Sequence, residues 1–170
     1  MVQLRVRFDH PTFSDQQIAE SIVGILSAHN TLSMATVSPD GQSYINTAHY
    51  GFDDLLNLFI VTQTFTQHSQ NVYANPSVAV AIWNEPAVVG TDLRGLQLFG
   101  TCARVQPLDL MHAIEAYATH VPAYGVNVKT PADTEKSESK LHILNITRLK
   151  LLDEPAFGRR NSLTLDVRGK

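Results

Sequence analysis

Val61-Thr62-Gln63-Thr64-Phe65-Thr66-Gln67-His68-Ser69-Gln70-Asn71-Val72-Tyr73-Ala74-Asn75-Pro76 is the stretch on which the reading of this chain turns. It follows the β-branched and apolar run Leu58-Phe59-Ile60, so a strand leads into it. Three alternating threonines come next, and then a short helical pattern that Asn75-Pro76 stops. Strand, hydroxyl-rich turn and helix N-terminus make an anion site. The first N–H groups of a helix lack intrahelical acceptors, and its dipole presents positive charge at that end. Thr62, Thr64 and Thr66 would share one side if the strand continued, and Thr64 stands three residues before Gln67, a capping-box spacing.

Upstream, Thr31 to Val37, Gln42 to Tyr50 and Leu55 to Thr62 read as three antiparallel strands. Pro39-Asp40-Gly41-Gln42 and Asp53-Asp54 supply the two tight turns. The middle strand carries polar residues, Asn46-Thr47-Ala48-His49, at its otherwise apolar centre. A helix precedes the meander: Ser14-Asp15-Gln16-Gln17 has the capping-box pattern, and Ile18, Ile22 and Leu26 form an apolar stripe to about His29.

Downstream, Ser77 to Trp83 reads as an apolar strand, residues 84–92 as a loop, and Leu93 to Val105 as a long strand bent at its glycines. A helix opens at Pro107-Leu108-Asp109, with Leu110, Ile114 and Tyr117 at helical spacing. The polar residues 127–140 read as a mobile loop within a single domain spanning 1–170, and His142 to Leu152 as the final strand. Six strands joined mostly by hairpins, with helices inserted between them, predict a mainly β (α+β) fold. It is a small antiparallel barrel, closed so that no β-branched edge is left exposed.

Composition narrows the function. The chain has 170 residues, 44% hydrophobic and 17% charged, with a net charge of −3 and a sequence pI near 6.1. Its cations are scattered, so nucleic acid is not an expected partner. No apolar run is long enough to span a bilayer and no secretory pattern opens the chain, which predicts a cytoplasmic protein without a membrane partner. Cys102 reads as a small buried hydrophobe. There is no Gly-x-Gly-x-x-Gly, no Walker-type Gly-Lys-Ser/Thr and no Gly-x-Ser-x-Gly. None of the seven histidines lies in a His-x-x-x-His context, so no metal is expected. His10, His29, His112 and His142 read as surface or hydrogen-bonded groups. A haem, by contrast, requires only one exposed axial histidine.

The order and spacing of these motifs resemble the FMN-binding split β-barrel family typified by pyridoxamine 5′-phosphate oxidase. The likeness runs over roughly residues 20–155. The strand equivalent to Asn46–His49 in that family lies along the isoalloxazine ring, and sixteen residues after Asn46 stands Thr62, where the family also has threonine. Thr66-Gln67-His68 occupies the place of the family's Ser-x-Lys, and Asn71 and Asn75-Pro76 match the helix that follows. Gly95–Val105 is similar to the family's glycine-bent strand.

The resemblance implies a six-stranded split barrel with peripheral helices. It implies a homodimer with FMN at the subunit interface, and hydride or electron transfer to a small organic substrate. It places Asn46, Thr47, Ala48, His49, Thr62, Thr64, Thr66, Gln67 and His68 at the cofactor, with no catalytic acid or base singled out. Non-catalytic flavin- or haem-binding or sensing dimers, a deazaflavin-dependent reductase and a barrel with an empty ancestral site are the alternatives.

Two departures stand out. Histidine replaces the phosphate-binding lysine at position 68, which predicts a pH-dependent grip on the phosphate. The C-terminal Ala156-Phe157-Gly158-Arg159-Arg160 segment lacks the family oxidase's Arg-His-Asp-Arg pattern. Arg159 and Arg160 remain candidates to clamp an anionic substrate or cofactor group, or else belong to a solvated tail.

Overall fold

A computed structural model describes residues 2–84, 88 and 90–170. Seven strands lie in chain order as β1 (Thr31–Val37), β2 (Ser43–Phe52), β3 (Asn57–Gln63), β4 (Ser77–Asn84), β5 (Arg94–Arg104), β6 (Ser139–Asp153) and β7 (Ser162–Asp166). The helices are α1 (Asp15–Ala28), α2 (Gln67–Ala74), α3 (Leu110–His120), α4 (Pro122–Asn127), α5 (Pro131–Glu135) and α6 (Glu154–Phe157).

The sheet order is β3-β2-β1-β4-β5-β6-β7, and β3 also pairs with β6. That extra pairing closes strands one to six into an antiparallel barrel and leaves β7 outside, against the far half of β6. Alternation sorts the side chains: Leu32 and Met34, Leu58 and Ile60, Val78, Val80 and Ile82, and Leu144 and Ile146 fill the interior. Near the bend predicted for β5, its register on β6 shifts between Phe99 and Gly100. Gly100 is required there, because a Cβ would collide with the carbonyl oxygen of Asn145.

Helix α1 plugs one end of the barrel with Ile18, Ile22 and Leu26, all fully buried. Its capping box forms as predicted, with Gln17 N–H donating to Ser14 and the Gln17 side chain accepting from Ser14 N–H. The hydroxyl of Tyr50 on β2 donates to the last-turn carbonyl of Leu26 at 2.8 Å and locks the plug to the wall. Helix α3 lies outside the barrel over a second cluster, Phe59, Val105, Ala113, Ile114, Tyr117 and Leu141. Gly51 permits this contact: a Cβ on it would stand 2.5 Å from Ala116 O and 2.6 Å from Tyr117 Cα.

Three expectations need correction. The last strand is β7, not the strand over 142–152, so Arg159 and Arg160 belong to a turn between α6 and β7 rather than to a loose tail. The polar stretch 127–140 contains α5, capped by Thr130 and Asp133, and Lys140 Nζ donates to the carbonyls of Thr134 and Glu135 at its end. The N-cap of α2 is Thr66, not Thr64: β3 continues to Gln63 and pushes the helix start two residues on. The Gln67 side chain therefore makes no capping box and donates to Asn71 Oδ1 instead. Of the loop expected over 84–92, residues 85–87 and 89 lie outside the described residues.

Candidate functional site

Strands β2 and β3 pair only through Tyr50–Phe52 and Leu58–Ile60. Beyond those pairs they diverge, and a groove of about 510 Å³ opens between them. Asn46, Thr47, Ala48 and His49 line one side, and Val61, Thr62 and Gln63 the other. Thr66 and His68 close one end, and Tyr117 from α3, Thr31 and Ser139 complete the lining. The inner edge of β2 bonds to β1 through residues 43–49, while the edge facing β3 has no strand partner there. Its backbone donors and acceptors therefore face the groove.

Most of the predicted residues are thus brought together. Thr62 Oγ1 lies 2.6 Å from His68 Nε2, 3.3 Å from Thr66 Oγ1 and 3.3 Å from Ser69 Oγ. Thr66 Oγ1 lies 3.1 Å from the same imidazole nitrogen, and both Thr66 and Ser69 donate to the carbonyl of Gln63. The first backbone bond of α2 runs from Gln70 N–H to Thr66 O, so the N–H groups of Gln67, His68 and Ser69 precede any intrahelical acceptor. Asn71, fully buried, donates to Thr36 Oγ1 at 3.0 Å and fastens this helix to β1. Three hydroxyls, an imidazole and a helix N-terminus converge on one end of the groove, which suits a phosphate.

Electrostatics at that end depends on protonation. Burial holds the His68 imidazole below its ordinary value, so without an anion it favours the neutral form. Asn46 contributes a different signal: its side-chain carbonyl oxygen is buried without a hydrogen-bond partner. An orphaned acceptor in the groove wall fits a ligand N–H that comes to meet it.

Other expectations meet a mixed outcome. Thr64 is an exposed turn residue outside the groove lining, and Gln67 is absorbed in its bond to Asn71. His49 lines the groove and donates from Nδ1 to Asn30 O at 3.0 Å. Arg159 and Arg160 do not line the groove, and the backbone N–H of Arg160 donates to Glu154. Cys102 is buried as expected, which pushes its thiol up to about 12. Tyr117 was legible only as an apolar helix position, because nothing in its spacing says that the helix leans over the split. A larger groove of about 1070 Å³ lies on the other flank of α3, against residues 2–5 and the β2–β3 turn, and holds none of the predicted site residues. Among the described residues no cluster of His, Cys, Asp or Glu could hold a metal ion, and no helix is long and apolar enough to cross a membrane.

The fold and its open seam define an antiparallel split β-barrel. The sequence profile described as pyridoxamine 5′-phosphate oxidase matches residues 18–151, and the chain belongs to that family. Among solved structures it is similar to a haem-binding protein from Mycobacterium smegmatis, at 20% identity and a TM-score of 0.65. That match covers 82% of this chain but 55% of the other, so the chain spans little more than half of that protein. The haem storage protein HutZ from Vibrio cholerae matches at 13% identity and a TM-score of 0.55, over 86% of this chain and 93% of its own. A Clostridium acetobutylicum protein related to general stress protein 26 of B. subtilis (pyridoxinephosphate oxidase family) matches at 12% identity and a TM-score of 0.58, over 85% and 91%. At these identities the likenesses concern the fold. No curated protein matches the chain.

Proposed function

We propose that the groove binds FMN and that the protein is a homodimeric flavoprotein oxidoreductase acting on a small organic substrate. The observation that carries this reading is the convergence of Thr62, Thr66, His68 and Ser69 on the free N-terminus of α2, at the end of an unpaired β2 edge. The cradle takes the phosphate, and the edge with Asn46 takes the polar rim of the ring. Bound FMN supplies hydride or electron transfer. The chain positions it and directs backbone N–H dipoles to the ring end that gains negative charge on reduction.

The dimer reading rests on the outer sheet face. Thr31, Thr47 and His49 line the groove and point outward with Ser33, Ala35, Ala79 and Ala81 of the neighbouring strands. This face of small residues is bordered by exposed Ile45 and Trp83. A second copy seated there would bury the apolar border and supply the missing wall of the groove.

A haem reading has one observation of its own. The carbonyl of Asn30 can only accept, so His49 carries its proton on Nδ1 and presents a bare Nε2 in the groove region. The absorption spectrum of purified protein separates the two, a flavin spectrum against a Soret band. Anaerobic NAD(P)H bleaching then tests catalysis: a yellow protein that is not reduced is a binding module. A colourless protein that takes up neither cofactor overturns both readings.

A further inference from the structure

His142 is a buried imidazole at the cradle end of the barrel. It sits on β6 in register with Ile60 of β3 and Arg104 of β5, on the interior face of the barrel and only 6% exposed. Its Nδ1 donates to Lys140 O at 3.2 Å, and since that carbonyl only accepts, the neutral ring leaves Nε2 without a proton. Thr62 stands in register with Lys140, two residues before His142, so the ring lies one inward step below the hydroxyl that holds His68.

The groups around His142 are basic. Burial is the main influence against its protonation, the hydrogen bond to the Lys140 carbonyl works the other way, and Arg104 on β5 and His68 on α2 add smaller opposition. Lys140, on its own strand, turns its ammonium to the α5 carbonyls. Arg104 and Lys140 line a separate small cavity with Glu135, and no carboxylate is ion-paired with Arg104, Lys140, His68 or His142 among the described residues. A buried base facing two further bases, with no acid bonded to any of them, is a poor arrangement for an empty barrel. It becomes favourable when an anion arrives at the cradle, because the anion reverses the sign of the local potential.

We propose that His142 is the inner proton acceptor of the anion site, coupled to His68, so that loading the site with a phosphate draws protons from solvent onto two imidazoles. The outer one, His68, touches the anion, and the inner one answers its charge from below. This rests on the reading of the cradle as a phosphate site, and not on the identity of the molecule that carries the phosphate. Its consequence is regulatory: the affinity for a phosphorylated ligand falls with rising pH more steeply than a single histidine allows.

Calorimetric titration with FMN in buffers of different ionisation enthalpy measures the proton uptake directly. Uptake exceeding what His68→Gln retains, and reduced by roughly half in His142→Gln, is the expected result. Identical uptake in His142→Gln and the unaltered protein overturns the proposal. If His142→Gln does not fold, histidine ring NMR of the unaltered protein with inorganic phosphate gives the same answer. The His142 resonance moves toward its protonated position on adding phosphate, and an unmoved resonance beside a shifting His68 overturns the proposal. Phosphate-induced shifts of both rings without FMN binding would retain this inference and reject FMN. No shift of either ring would reject the cradle itself.

Discussion

Thr62 and His68 meet at 2.6 Å, joining the last inward residue of β3 to the first turn of α2. Each is positioned by a different element, so the contact forms only when strand and helix are both in register. The cluster therefore needs the end of β3 and the start of α2 both in place, although the two residues stand only six apart in the chain.

FMN affinity is expected to weaken as pH rises. In the empty protein burial lowers the His68 value, whereas a bound phosphate favours the cation, so binding takes up a proton between the two values. Each such proton contributes at most about a tenfold loss of affinity per pH unit. Flavin fluorescence quenching from pH 6 to 9 measures it, with His68→Lys flattening the curve and His68→Ala lowering affinity throughout. A flat profile in the unaltered protein contradicts the role given to His68.

Mild acid is expected to destabilise the fold. His68 and His142 both have folded-state values below the ordinary value of about 6.5. The unfolded chain thus binds protons first, so this stability is fully present above about pH 6.5 and is lost as pH falls through the lowered native values. Urea midpoints at pH 7.5 and pH 5.5 test this. The drop between them is expected to shrink in His142→Gln.

Asp53→Ala should cost about 2–3 kcal/mol of folding free energy. The buried carboxylate accepts from Leu55 N–H, Asn57 N–H, the Asn57 side chain and His112 Nε2. Its loss leaves turn donors unpaired and cuts the side-chain tie from α3 to the β2–β3 turn. Denaturant unfolding gives the number, and a loss within error of zero would show that water replaces the carboxylate fully.

Gly51→Ala should destabilise by about 1–3 kcal/mol and weaken cofactor binding as well. The new methyl meets helix backbone, not a flexible side chain, so α3 must move and carry Tyr117 with it. Tyr117→Phe serves as the comparison, since it alters the groove lining but keeps the buried ring that helps seat the helix. Unchanged stability and affinity in Gly51→Ala would mean that the helix is not held at this distance.

The barrel was legible because its strands alternate cleanly and its turns carry Asp-Gly and Asp-Asp signals, as in 31–37 and 39–42. β7 was not, because Ser162–Asp166 alternates over only five residues within a charged stretch. α5 was hidden by its polarity, although Thr130-Pro131-Ala132-Asp133 is a capping box with proline at its first position. Thr62, Thr66 and His68 stand out by their spacing together with the family resemblance, whereas Ser69 does not. Tyr117 and His142 were not legible either: one needs the closeness of α3 at Gly51, the other the inward register of β6. Both facts are long-range, and neither leaves a local pattern.

Strand β6 pairs with β5 along nearly its whole length, with β3 through its first half and with β7 through its second. Residues 57–63 must therefore wait for 139–145 before the ring can close. Loop closure over such a separation is slow, and a chain emerging from synthesis exposes the free edges of β3 and β5 throughout that interval. Aggregation during expression should accordingly be most sensitive to substitutions in 139–153. The same keystone strand that closes the barrel sets the time for which the newborn protein is vulnerable.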